Sequence, residues 1–230
     1  MCGWRLSSIM PARVWNWAEP TVEEIMKEQP AVAIDAPFEP LVRRILDEAT
    51  VIDSRILKID HFLNHRIEPA FMTAMGCALA DRQRAFEPNL LLTAEASGIA
   101  PTLAVALALN VPLVYAKKYA PVVETPALSR IVPSPTKGGE AKLAVSGRYL
   151  TAGMRVALVD DFLANGKTAL ALAEIVADAG ATTVAAGFLV EKLFQDGRAG
   201  LAARGIPIVT LTQVERLEGN RVVMRDTLER

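Results

Sequence analysis

Asp160 and Asp161 stand together directly after a short apolar run, Val156 to Val159. The run does not alternate between apolar and polar residues, as expected of a parallel strand covered on both faces. Open α/β sheets place ligands just beyond such strand ends. The small, turn-prone residues Ala164, Asn165 and Gly166 follow, then Lys167 and Thr168. A helix begins there, with apolar positions at Leu170, Ala173, Val176 and Ala177. N–H groups at its start would point into the turn and suit an anion such as a phosphate. The helix dipole adds roughly 0.3–1 kcal/mol for a nearby negative charge. Gly166-Lys167-Thr168 also ends like a nucleotide-binding P-loop, but that motif needs its first glycine where Asp161 stands, so it is excluded. The bland alternative is an acidic strand end with an ordinary helix cap.

The chain that must position these residues has 230 residues, enough for one sizeable core plus an appendage. Hydrophobic residues make up 51% and charged residues 22%, with a net charge of −1. That balance argues against a nucleic-acid surface as the main function. Two cysteines, Cys2 and Cys77, give neither a disulfide framework nor metal-ligand spacing, and a reducing cytosol is the simplest compartment. Ala96 to Ala116 carries no charge, but Gly98, Pro101, Asn110 and Pro112 punctuate it, so it reads as loop, helix and strand, not as a membrane span. The N-terminus lacks the continuous apolar core of a signal peptide.

Residues 1–36 hold all three tryptophans, Trp4, Trp15 and Trp17. They read as an extension of uncertain status, or as sequence before a later start at Met10 or Met26; a docking arm is the sharper alternative. Thr21 is an N-cap candidate there. Residues 37–230 read as one α/β unit. Phe38, Leu41, Val42, Ile45 and Leu46 recur at helical spacing. Val51 to Asp60 reads as one or two strands, and Pro69 opens a helix reaching Phe86. Leu90 to Leu92 is a buried strand, followed by a turn at Ser97 and Gly98 and a helix from Pro101 to about Leu109. That turn is a second anion cradle. Val111 to Ala116 is the next strand, closed by Lys117 and Lys118, either solvated or meeting a phosphate. Ser129 to Ala141 suits a long mobile loop or the tip of a hairpin. Further strands are expected at Thr183 to Val190, Ile206 to Leu211 and Arg221 to Met224. The alternation implies a mostly parallel central sheet flanked by helices.

Four segments carry a family resemblance: LKIDHFLNHRIEP (Leu57 to Pro69), EASGIAP (Glu95 to Pro101), VDDFLANGKTA (Val159 to Ala169) and VEKLFQ (Val190 to Gln195). The acidic-pair segment resembles the ribose-5-phosphate loop of the type I phosphoribosyltransferases. FLNH together with EKLFQ narrows the likeness to the xanthine phosphoribosyltransferases of bacterial purine salvage. The resemblance implies the type I phosphoribosyltransferase fold, with a small hood for the base built from 51–69 and the C-terminal segment. It implies transfer of a phosphoribosyl group from 5-phospho-α-D-ribose 1-diphosphate (PRPP) to xanthine, giving xanthosine 5′-monophosphate and diphosphate.

On that likeness Leu57, Asn64 and Lys192 contact xanthine. Ala164, Asn165, Gly166, Lys167 and Thr168 hold the 5′-phosphate of PRPP. Asp160 and Asp161 are the catalytic pair facing the ribose. Ser97, Gly98 and Lys118 serve the diphosphate. Mg²⁺ is expected mainly through the diphosphate, with no direct protein ligand. A cytoplasmic homodimer is implied, with no nucleic-acid or membrane partner. Ala96 departs from relatives that carry a second serine there. Adjacent carboxylates on a strand alternate faces, so the two aspartates are expected to differ in role. Asn64, donor and acceptor, suits the C2 edge of xanthine, and Lys192, donor only, suits a carbonyl at C6. The rival readings are an enzyme of another purine preference and a PRPP-sensing regulator of the same fold. The segment before the resemblance is short for a winged helix and lacks a basic recognition helix.

Overall fold

The computed structural model describes residues 36–118, 127–133 and 139–225. Thr21, the tryptophans and the tip of the 129–141 segment lie outside those residues. In chain order the elements are α1 (Glu39–Glu48), β1 (Thr50–Ile52), β2 (Ile56–Lys58), α2 (Pro69–Gln83), a 3₁₀ turn (Arg84–Phe86), β3 (Leu90–Ala94), α3 (Ile99–Leu109) and β4 (Leu113–Ala116). Then follow β5 (Ala127–Pro133), β6 (Glu140–Ser146), β7 (Arg155–Leu163), α4 (Lys167–Asp178), β8 (Thr182–Lys192), α5 (Gly197–Ala202), β9 (Ile208–Glu218) and β10 (Arg221–Met224).

The main sheet has six strands in the order β4-β3-β7-β8-β9-β10. All pairings are parallel except β9 with β10. Each core strand feeds two hydrophobic cores. Leu91, Ala157 and Val159 join the core under α1, α2 and α3, whereas Leu90, Leu92, Val156 and Leu158 join the core under α4. Successive strand residues point to opposite faces, so a strand buried on both sides must be apolar throughout. Where α2 crosses α3, a Cβ on Gly76 would lie 2.3 Å from that of Ala104, so the two backbones approach more closely than any other residue permits.

β3 connects through α3 to β4 on one side, whereas β7 connects through α4 to β8 on the other. Their crossovers therefore run in opposite directions, leaving a crevice at the carboxyl ends of β3 and β7. β3 pairs with β7 only as far as Leu92 opposite Leu158, while β7 continues beside β8 to Leu163 opposite Glu191. Two antiparallel hairpins stand apart from this sheet: β1 with β2, and β5 with β6.

Several boundaries differ from the sequence expectation. The aspartates do not end β7; the strand runs through them to Leu163, because β8 supplies a partner on one edge while the other edge opens into the crevice. Of the two readings of the 129–141 segment, the hairpin holds rather than the long loop, its ends being the paired strands β5 and β6. α3 begins at Ile99, two residues before Pro101. Ala177 and Leu46 are exposed, on the outer faces of α4 and α1. β9 extends to Glu218 and α5 was not anticipated, since GRAGLA lacks a helical apolar stripe long enough to read.

Candidate active site

The carboxylate of Asp161 is the meeting point of three segments. Its Oδ1 accepts Ser97 Oγ at 3.2 Å and the Phe162 N–H at 2.9 Å, and its Oδ2 accepts Asn64 Nδ2 at 2.7 Å. Asp161 is buried, and a buried carboxylate needs such donors. Asp160 differs from it, as alternation along the strand requires. Its Oδ1 accepts the Asp161 N–H at 2.9 Å. Removal from water, then the charge of Asp161 and the hydrogen bond shared with it, push the Asp160 carboxyl well above the usual carboxylate range; the charge of Lys118 acts against this.

Gly98 lets the second loop reach Asp160. A Cβ there would lie 2.1 Å from Thr93 Oγ1 and 2.6 Å from Asp160 Oδ1, so only glycine allows this approach. Thr93 Oγ1 is buried and has no hydrogen-bond partner among the described residues. It therefore flanks, with the Asp160 carboxyl, the space left by the missing side chain. Glu95, whose peptide bond to Ala96 is cis, accepts the Lys118 N–H at 2.6 Å, which ties the ends of β3 and β4 together.

Ala164, Asn165 and Gly166 form an open turn outside any helix, and α4 starts at Lys167. Gly166 has φ +74°, a conformation that favours glycine. Asn165 Oδ1 accepts the Lys167 N–H at 3.0 Å, and the helix ladder begins with Leu170 N–H to Gly166 O at 2.8 Å. The N–H groups of Thr168 and Ala169 precede that ladder, and first-turn donors of this kind have no partner within their own helix.

Lys192 ends β8 with its ammonium 5.0 Å from the centroid of the Phe162 ring. Burial lowers its pKa, and the charge of Asp161 partly offsets this. Glu191 is buried and held by Arg198 and Gln213.

The structure thus brings Asn64, Ser97, Gly98, Asp160, Asp161 and Lys192 around one crevice, with the 164–168 turn continuing from β7. Lys118 reaches it through its backbone and its charge. Leu57 is buried in the core on the α1–α3 side, opposite Val51 in the first hairpin. Sequence reasoning missed Thr93, because a buried threonine in an apolar strand looks like packing.

Comparison with known proteins places this geometry. A family profile described as "Phosphoribosyl transferase domain" matches residues 68–214. A protein of Chloroflexus aurantiacus named xanthine phosphoribosyltransferase is 58% identical over 185 residues, covering 80% of this chain and 88% of that protein. One of the same name from Heliobacterium modesticaldum is 45% identical over 186 residues, covering 81% and 99%. The adenine phosphoribosyltransferase of Trypanosoma brucei, solved with AMP, pyrophosphate and ribose-5-phosphate, superposes with a TM-score of 0.65 at 21% identity, covering 83% of this chain and 86% of that one; this likeness shows the fold alone. The match of profile, sequence and crevice has one reading: the chain belongs to the phosphoribosyltransferase family, with its type I fold.

Proposed function

We propose that the chain is a xanthine phosphoribosyltransferase of purine salvage, converting xanthine and PRPP to xanthosine 5′-monophosphate and diphosphate. The observation that carries the reading is the bond between Asn64 and Asp161. It joins the segment proposed to hold the base to the acidic pair, which continues directly into the 164–168 turn. The choice of xanthine rests on the curated relatives of that name.

Cleaving the bond between C1 of the ribose and the diphosphate oxygen develops positive charge on the sugar and negative charge on the leaving group. Transfer then requires that both ends be stabilised and the base nitrogen be held in line. Residues 164–168 hold the 5′-phosphate. Ser97, Gly98 and Lys118 serve the diphosphate. Asp161, fixed by three donors, orients the hood and the diphosphate loop. Asp160, the freer carboxyl, meets the ribose hydroxyls. Lys192 presents a donor to the base from the end of β8, Asn64 presents its side-chain carbonyl, and Leu57 backs the hood segment that carries Asn64. A site built to satisfy both xanthine carbonyls leaves a buried polar group unpaired when hypoxanthine enters, which supports discrimination.

Mg²⁺ fits the reading as an ion carried by the diphosphate, where it would neutralise charge developing on the leaving group. Asp160 and the unpartnered Thr93 hydroxyl offer hard oxygen donors of the kind it takes.

The catalytic unit is residues 37–230, with a hood from 51–69 and the C-terminal segment; residues 1–36 are an extension. The working form is a cytoplasmic homodimer. No helix among the described residues is long and apolar enough to cross a membrane. Incubation with PRPP, Mg²⁺ and each of xanthine, hypoxanthine, guanine and adenine, with product analysis, tests the reading. Xanthosine 5′-monophosphate as the preferred product is expected. Preference for another base would replace xanthine, and no transfer to any base would leave a regulator.

A further inference from the structure

We propose that Glu191, Arg198 and Gly197 form a clamp that holds the base-side lysine and the phosphate-side turn in one register, each acting as a positioning residue. The inference rests on the reading that Lys192 meets the base and residues 164–168 the 5′-phosphate. Glu191 is 1% exposed and lies beside Leu163 on one side and Gln213 on the other. Its Oε1 accepts Arg198 Nε at 2.6 Å, and its Oε2 accepts Arg198 Nη2 at 2.5 Å and Gln213 Nε2 at 2.8 Å. A forked guanidinium fixes direction as well as distance, which a single ammonium does not.

That pairing closes the segment from Glu191 to Arg198 on itself, with Gln195 N–H returning to Lys192 O at 3.1 Å. The closure presses Gly197 against the phosphate-side turn. Its N–H donates to Ala164 O at 3.0 Å. A Cβ on Gly197 would lie 2.4 Å from that oxygen and 2.6 Å from Leu163 Cδ1, and a Cβ on Gly166 would lie 2.7 Å from Gly197 Cα. The two backbones therefore touch with no room for a side chain. Lys192 adjoins the ion pair at one end and Gly197 at the other, so one buried carboxylate sets the spacing of both. A buried ion pair is poor evidence of added stability, because removing its charges from water opposes their attraction. Its better-supported effect here is geometric.

The test compares the full-length wild type with Gly197→Ala, Arg198→Ala and Arg198→Lys, each measured well below its own Tm. Calorimetry reads ribose 5-phosphate binding, and steady-state kinetics reads KM for PRPP and for xanthine separately. Gly197→Ala is expected to raise KM for PRPP about tenfold and weaken ribose 5-phosphate to match, with KM for xanthine unchanged. Arg198→Ala is expected to raise both KM values, and Arg198→Lys not to restore them. Should Arg198→Ala fail to fold, Glu191→Gln combined with Arg198→Gln removes the stranded charge and gives the same reading. Folded variants with lowered Tm but both KM values unchanged would overturn the clamp, leaving xanthine transfer intact. If the wild type instead prefers another base while Gly197→Ala still loses ribose 5-phosphate, the clamp stands and the xanthine reading falls.

Discussion

Asn64 and Asp161 are separated by 97 positions in the chain, yet the amide Nδ2 of one lies 2.7 Å from a carboxylate oxygen of the other. This bond holds the Asn64 amide on the acidic pair, so on the proposed roles its side-chain carbonyl is the group left for the base. The residue proposed to read the base is thus oriented by the carboxylate next to the one proposed to meet the ribose. On the roles proposed for these two residues, binding of the two substrates should be coupled through it.

Asn64→Ala should therefore affect both substrates. A hydrogen bond to a charged group contributes about 1.5–3 kcal/mol, so kcat/KM with xanthine should fall by roughly one to two orders of magnitude, and the preference over hypoxanthine should shrink. Asn64→Asp should be worse, since it sets a second carboxylate against Asp161. Kinetics with both bases measures this; an unchanged preference in Asn64→Ala would remove Asn64 from base recognition.

The acidic pair predicts opposite effects on turnover and stability. Asp160→Asn and Asp161→Asn together should cut turnover strongly, and activity within a few-fold of wild type would end their assigned role. Asp160→Asn alone should raise the Tm of the ligand-free protein at neutral pH. The carboxyl's folded pKa lies above its unfolded value. Below the unfolded value, near 4, both states are protonated and nothing is lost. As pH rises from there to the folded value, the unfolded state gives up its proton first, so wild-type stability declines across that window. Single stabilising substitutions commonly yield about 0.5–2 kcal/mol, and each kcal/mol moves Tm by roughly 2–4 °C at this size. Melting curves against pH decide: the gap between variant and wild type should close toward acid, and a pH-independent gap contradicts the assignment.

Gly98→Ala should abolish most activity while the protein stays folded. The added methyl falls 2.1 Å from Thr93 Oγ1 and 2.6 Å from Asp160 Oδ1, so the loop must retreat from the acidic pair. Overpacking of this kind costs about 1–3 kcal/mol. Removing the nearer obstacle with Thr93→Ala should recover part of the lost stability and little of the activity, because Asp160 still blocks the loop. Full activity in Gly98→Ala alone would show that the loop's approach to Asp160 is dispensable.

Gly76→Ala tests the scaffold without touching the crevice. Its methyl would meet the Cβ of Ala104 at 2.3 Å and the carbonyl carbon of Ala104 at 2.7 Å, forcing α2 and α3 apart. A loss of roughly 1–3 kcal/mol is expected, read as a lower urea midpoint. The compensating Ala104→Gly should return part of it. Kinetic constants well below the Tm should stay near wild type; a large change in KM would tie this helix crossing to the site.

The local pattern of the chain determined most of the elements. Val156 to Val159 had to be a strand covered on both faces, and Ala164 to Gly166 had to turn before a helix, because small residues and a glycine at positive φ permit little else there. Hydrophobic spacing likewise located α1, α2, β3 and β8. Tertiary structure decided which of these segments meet. Placement of β3 between β4 and β7 follows from crossover direction and burial, not from any residue in β3, and it alone brings Ser97 and Gly98 to the aspartates. Burial of Glu191 and the contact of Gly197 with Ala164 arise only when β7 and β8 lie side by side. Contacts between distant segments depend on the geometry of the whole sheet, and a local window of sequence carries no record of it.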